Sequence, residues 1–275
     1  MTPQPQRAER LEKRLARVAR EQGVDQERLR RWVSFLALCG VLEKAVGEGL
    51  IGTYYLKGGV ALELRFAAQA RATKDLDLGL EGARANRFEL LKNALQLGFD
   101  EFTFRVKAET RQMEKADAVR LNIAVLYRTR SWQTIEVDLG PASTPAVDFV
   151  EPQVQGLAEL GLPVTSPVRC LGLAEQIAQK LHACTAPHSR GRARDVLDIL
   201  LIEALAGLDY DRTSAAVRRV FEERGTHVFP MVFDMPAEWR PEIEGLARAL
   251  GFPGTSASEI EARFLAVVQR LAEAA

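Results

Sequence analysis

Asp75 and Asp77 have the clearest chemical potential in this chain. They alternate with Leu76, Leu78 and Leu80, which predicts a strand carrying both carboxylates on one face. Residues two apart on a strand stand roughly 6.5 Å apart at Cα. Such a pair can share divalent cations held about 3.5–4 Å from each other, the separation used in two-metal phosphoryl transfer. Oxygen donors without His or Cys suit Mg²⁺ or Mn²⁺ rather than zinc. Any half-exposed strand can generate the same alternation, so the pair alone does not define a site. Glu136 and Asp138 share the face opposite Ile135, Val137 and Leu139. A strand there, paired beside the first, would bring a third carboxylate to ligate one cation and accept the proton of an attacking hydroxyl. Lys57-Gly58-Gly59 stands where a short β-prone run meets a helix. Paired glycines let the backbone approach a phosphate, and free amides at a helix start can donate to it; a tight turn is the plainer reading. Neither a P-loop nor a GxGxxG pattern is present.

A later cluster comprises Lys180, Arg190, Arg192, Arg194, Asp195 and Asp198. One reading is a helix-terminal charge network in which Arg194 pairs with Asp198. The other is a cation for a triphosphate with a carboxylate to position it. His182, Cys184 and His188 lack a fourth ligand at zinc-site spacing and are expected to be structural, as is the isolated His227. Ser189 has no arranged His/Asp partner, so a hydrolase triad is not supported.

The elements that must position these groups follow from periodicity. Two helices are expected first, one with the stripe Leu11, Leu15 and Val18 and one over 26–45; nine basic and five acidic side chains between Arg7 and Arg31 read as a solvated surface. Strands at 51–56, 74–80, 102–106, 119–125 and 135–139 surround helices at 60–66 and 86–97, and a turn over 128–131 joins the last two strands as a hairpin. The proline- and glycine-rich stretch 141–167 reads as a connection, and helical periodicity follows to the end. The expected layout is α/β (α+β): N-terminal helices over 1–48, a small mixed-sheet core over 49–145, and a mainly helical domain over 146–275 contributing Lys180 and Asp195 to the site.

Composition narrows the class. The 275 residues carry 37 basic and 37 acidic side chains, with 47% apolar and 27% charged, which fits a globular protein and excludes a disordered or fibrous one. No apolar run approaches a membrane span, and the charged N-terminus has no apolar signal core. Cys39, Cys170 and Cys184 form no CxxC, so no disulfide framework is indicated and a cytoplasmic location is expected.

The order of the motifs carries more than any one of them. "LKGGVALELR" followed by "RATKDLDLGL" resembles the opening motif of the AbiEii-type nucleotidyltransferase toxins, within the polymerase-beta-like nucleotidyltransferase superfamily. The matching positions are Gly58, Gly59, Arg71, Thr73, Asp75 and Asp77. "TIEVDLGPASTP" is similar to the strand bearing that family's third carboxylate, which selects Asp138 over Glu136. "LAEQIAQKLHA" and "RGRARDVLDILLI" resemble its later lysine and Lys/Arg-Asp-x-x-Asp motifs, at Lys180, Arg194, Asp195 and Asp198. One position departs from the pattern: Val60 replaces the family's Ser or Thr after Gly-Gly, so backbone amides alone remain there for a phosphate.

The resemblance implies transfer of a nucleoside monophosphate from an NTP to an acceptor hydroxyl. Asp75, Asp77 and Asp138 are then expected to hold two Mg²⁺ (or Mn²⁺) ions, with Asp138 also the base. Lys57, Gly58, Gly59, Thr73, Lys180 and Arg194 would hold the nucleotide, and Asp195 would orient Lys180. It further implies a toxin of an abortive-infection type toxin–antitoxin system, the 3′ end of tRNA as acceptor, and a cognate antitoxin as partner. Other readings of the same residues are a catalytically impaired NTP- or RNA-binding relative and a metal-dependent phosphodiesterase.

Overall fold

The computed structural model describes residues 4–107, 111–113, 117–143, 146–153, 158–162, 167–187 and 189–274. His188, one of the three zinc-type residues considered above, lies outside them. The chain forms two compact units, one of Met1–Ala68 with Ala72–Cys170 and one of Gln69–Arg71 with Leu171–Ala275.

The first unit opens with α1 (Gln4–Glu21) and α2 (Gln26–Gly47). Asp25 caps α2 by accepting from the Arg28 amide at 2.8 Å. Every residue of α2 from Trp32 to Leu42 is buried. A helix apolar all round must be covered on several sides, and α1, α4 (Arg84–Leu95) and strand β6 (Arg130–Pro141) pack against it. The other elements of this unit are β1 (Tyr54–Lys57), α3 (Gly58–Phe66), β2 (Asp75–Leu80), β3 (Phe102–Val106), β4 (Arg111–Met113), β5 (Ala118–Tyr127), β7 (Val147–Val150) and β8 (Val168–Leu171). They form one mixed sheet in the order β3-β5-β6-β2-β1-β8-β7, with β4 pairing to β5. Leu76, Leu78, Ile123 and Val137 lie in its buried core.

The stretch 141–167, expected as a connection, contains β7, and β8 follows directly; both join the sheet. Each has four residues, too few for alternation to stand out from a proline-rich background. The β5–β6 hairpin turns on Arg128 and Thr129, both at positive φ. Its register shifts by one residue between Val125 and Leu126: Leu126 pairs with Ser131 and Val125 with Gln133, so Trp132 is the extra residue of a β-bulge. The Trp132 indole packs into the core. It is buried against Phe102 and Tyr127, with its Nε1 donating to Ser34 Oγ at 3.1 Å.

The second unit is helical: α5 (Leu173–Thr185), α6 (Ala193–Ala206), α7 (Tyr210–Arg224), α8 (Arg240–Ala249) and α9 (Ala257–Glu273). Its core is built on Ile177, Leu181, Leu197, Val217, Phe221 and Phe264. Ser256 and Glu259 close a capping box at the start of α9: the Glu259 amide donates to Ser256 Oγ and the Ser256 amide to Glu259 Oε2, both at 3.3 Å.

Candidate active site

Strands β2 and β6 pair in parallel, with Asp75 opposite Glu136 and Asp77 opposite Asp138. Paired residues of neighbouring strands project to the same face, so these four carboxylates form one acidic patch while Leu76, Leu78, Val137 and Leu139 fill the core beneath. On the other side β1 runs antiparallel to β2, placing Lys57 opposite Asp77. The Lys57 ammonium reaches over Gly140, where a Cβ would sit 3.5 Å from Nζ.

Helix α3 starts at Gly58, immediately after β1. Gly58 has φ +65, and a Cβ on it would collide with the Asp77 carboxylate. Glycine is therefore required twice over, by conformation and by the closeness of Asp77. A Cβ on Gly59 would lie 2.9 Å from Thr73 Oγ1, so the segment leading into β2 packs directly on the helix start. Glu63, on the same helix, fixes that segment: it is almost fully buried, accepts from the Thr73 amide at 3.1 Å and from Arg28 Nε at 2.6 Å. Burial pushes the Glu63 carboxyl up, opposed by Arg28 and the Thr73 amide. Val60, the departure from the family pattern, is fully buried in the core.

Arg120 of β5, opposite Asp138 in the register, completes the patch. Its Nε donates to Asp138 Oδ1 and its Nη2 to Oδ2, both at 2.7 Å, and its Nη1 lies 2.9 Å from Glu136 Oε1. Sequence reasoning missed this arginine. The alternation of Leu121, Ile123 and Val125 already assigned it to the polar face of β5. Among the described residues no three His, Cys, Asp or Glu side chains are gathered tightly enough to hold a metal ion. The chemistry of the patch nevertheless suits a hard divalent cation: the candidate donors are all carboxylate oxygens on adjacent strands, and a guanidinium already bridges two of them.

In the second unit, Lys180 of α5 donates at 2.7 Å to both Asp195 and Asp198 of α6. Arg71 forks onto Asp198 with two bonds of 3.0 Å, and Arg192 reaches Asp195 at 3.2 Å. Asp198 is fully buried. Burial alone would raise its carboxyl, but Lys180 and Arg71 outweigh that and hold it below the usual range. For Lys180, burial disfavours the ammonium, and the two carboxylates overcome it and push the pKa up. The Arg194–Asp198 pair of the charge-network reading does not form. Asp198 faces inward, where Arg71 and Lys180 take it, while exposed Arg194 pairs with Glu242 at 3.0 Å.

His227, isolated in the sequence and expected to be structural, has neighbours in the fold. Its Nε2 and Nδ1 each lie 2.9 Å from a threonine hydroxyl, of Thr185 and Thr226, and its ring stacks 4.7 Å from His182. His182 is buried between Thr226 and Arg224. Ser189 donates to the Cys184 carbonyl at 3.1 Å.

A mixed sheet with carboxylates on adjacent strands, beside a helix that opens on two glycines, is the core of the polymerase-beta-like nucleotidyltransferase fold. Residues 41–269 match the family described as "Nucleotidyl transferase AbiEii toxin, Type IV TA system", and the chain belongs to that family. The coarse activity that accompanies membership is nucleotidyl transfer by the toxin of a toxin–antitoxin system. Among solved structures, MenT4, a nucleotidyltransferase toxin from Mycobacterium tuberculosis H37Rv, shares the fold with a TM-score of 0.60 and 18% identity, over 94% of this chain and 89% of that one. ANT(2″)-Ia in complex with adenylyl-2″-tobramycin overlaps with a TM-score of 0.40 and 17% identity, over 67% of this chain and 95% of that one. An antigenic nucleotidyltransferase-like protein from Paracoccidioides brasiliensis reaches the same TM-score at 16% identity, over 81% and 95%. No curated protein matches the sequence. No described helix is long and apolar enough to cross a membrane.

Proposed function

We propose that the protein transfers a nucleoside monophosphate from an NTP to the 3′-terminal hydroxyl of tRNA in the cytoplasm, using Mg²⁺ or Mn²⁺, as a toxin held in check by a cognate antitoxin. The observation that carries this reading is the register of Asp75 and Asp77 against Glu136 and Asp138, beside the helix start at Gly58. Asp75, Asp77 and Asp138 would hold the divalent ions, which when bound neutralise the triphosphate and lower the cost of charge moving to the leaving group. The acceptor oxygen forms a bond to the α-phosphorus as the bond to the bridging oxygen breaks. Pyrophosphate leaves, and the hydroxyl proton passes to an Asp138 carboxylate oxygen. Gly58 and Gly59 offer backbone amides to the phosphates. Lys57 and Thr73, adjacent to that turn, are assigned to the nucleotide. Lys180, oriented by Asp195, and Arg194 are assigned to it on the family resemblance.

Incubation of the protein with tRNA, each labelled NTP in turn and Mg²⁺ tests the proposal. Label should enter the RNA with one NTP, and Asp77→Ala should abolish it. No incorporation into any RNA sinks the activity, and incorporation that survives Asp77→Ala sinks the site. Buried Val60, which offers no hydroxyl beside the glycines, favours a second reading as an NTP-binding relative without turnover. Binding of NTP with no product, even with Mn²⁺, would support that one.

A further inference from the structure

We infer that Arg120 is an internal counter-cation that holds Asp138 away from metal coordination, that a divalent ion must displace it, and that Glu136 is the carboxylate it then retains. This rests on the metal reading proposed above. Both Asp138 oxygens are engaged by the Arg120 fork at 2.7 Å. A carboxylate bound in this way has given its best lone pairs to a charge-assisted, bidentate partner. It can neither ligate a cation fully nor accept a proton until the guanidinium withdraws.

The surroundings give the guanidinium both a reason to be there and a place to go. Four carboxylates on two adjacent strands repel one another unless a positive charge lies among them. Arg120 supplies it: its hydrogen bonds to Asp138, with the nearby charges of Glu136 and Asp75, favour the charged form against partial burial. An arginine does not deprotonate under ordinary conditions, so raising the pH will not open this clamp, whereas a competing cation will. The Arg120 side chain is 37% exposed against 17% for Asp138, which leaves it room to turn outward. Its Nη1 already touches Glu136 at 2.9 Å, so release from Asp138 does not leave it without a carboxylate. This accounts for the acidic residue at 136, which the proposed metal set does not use.

The test is Mn²⁺ binding to metal-stripped protein by titration calorimetry, with no nucleotide present. Arg120→Gln should bind Mn²⁺ about tenfold more tightly than the unaltered protein, the equivalent of ~1.4 kcal/mol. Arg120→Lys, which keeps the charge and loses the fork, should fall between the two. In EDTA the Arg120→Gln protein should melt at a lower temperature than the unaltered protein, and Mn²⁺ should raise its Tm by more. General structural damage would weaken metal binding, so tighter binding separates displacement from a merely architectural role. Equal or weaker Mn²⁺ binding by both folded variants overturns the inference. If the unaltered protein binds Mn²⁺, Asp77→Asn does not, and neither Arg120 variant binds more tightly, the metal reading stands and Arg120 alone is misassigned. If neither the unaltered protein nor the Arg120 variants bind Mn²⁺, the metal reading fails and takes this inference with it.

Discussion

Two clusters of carboxylates and cations occur in this chain, and they are built in opposite ways. In the first unit, Asp75, Asp77, Glu136 and Asp138 lie on the open face of a sheet, and Arg120 covers part of them from a half-exposed position. In the second, Asp198 is wholly buried and held by Lys180 and Arg71, themselves only 9% and 12% exposed. Pairing at a wet surface costs little to undo. Breaking a buried pair strands a charge with no water to solvate it. The first cluster is therefore suited to exchanging its cation and the second to keeping its own.

Substitutions should separate the two. In the first cluster, Asp77→Asn should lower nucleotidyl transfer by on the order of 10³-fold and leave the urea unfolding midpoint nearly unchanged; a large loss of stability would mean the patch is structural after all. In the second, Asp198→Ala should cost about 3–5 kcal/mol of stability in urea unfolding, because Lys180 and Arg71 would be left buried without their shared partner. A loss under ~1 kcal/mol would remove the contrast between the clusters. Gly58→Ala joins both kinds of effect at one position. It should cost about 1–2 kcal/mol for an alanine at positive φ, and lower activity further by pushing Asp77 aside.

The smallest effect is expected from pH. Burial first, then Arg224 and His227, push the His182 pKa down to about 4 from an ordinary 6.5. The unfolded chain therefore takes up a proton that the folded chain refuses. The corresponding stability is fully present above pH 6.5 and is lost as pH falls toward 4. Urea midpoints measured across that window should decline with acid, and the decline should flatten in His182→Gln.

Much of this molecule was legible in the sequence because its signals are periodic. Alternation located β2, β5 and β6 and put Asp75 with Asp77, and Glu136 with Asp138, on their polar faces; helical spacing found α2 to within a few residues and the helical run that holds α5, α6 and α9. Pairings between distant segments were not legible. Nothing in the residues near Asp198 announces Arg71, which lies 127 positions away in the chain. The four-residue strands β7 and β8 gave too short a pattern to read. Arg120 was half legible: its face followed from its neighbours, but its partner depended on a register that the same hairpin without its bulge would have set differently.

That register comes down to the single inserted residue Trp132. The core positions of both strands are odd-numbered, Leu121, Ile123 and Val125 against Ile135, Val137 and Leu139, whereas the Tyr127–Arg130 closure pairs odd with even. The bulge is the phase correction that reconciles them. Drawing Trp132 into the ladder, with no bulge, would leave the turn and every charged residue in the chain, yet throw the two strands out of step. Arg120 would then be counted opposite Val137, its fork aimed at grease instead of at an acid. One tryptophan, buried in the core and carrying no charge, sets the timing by which the charges of this sheet meet.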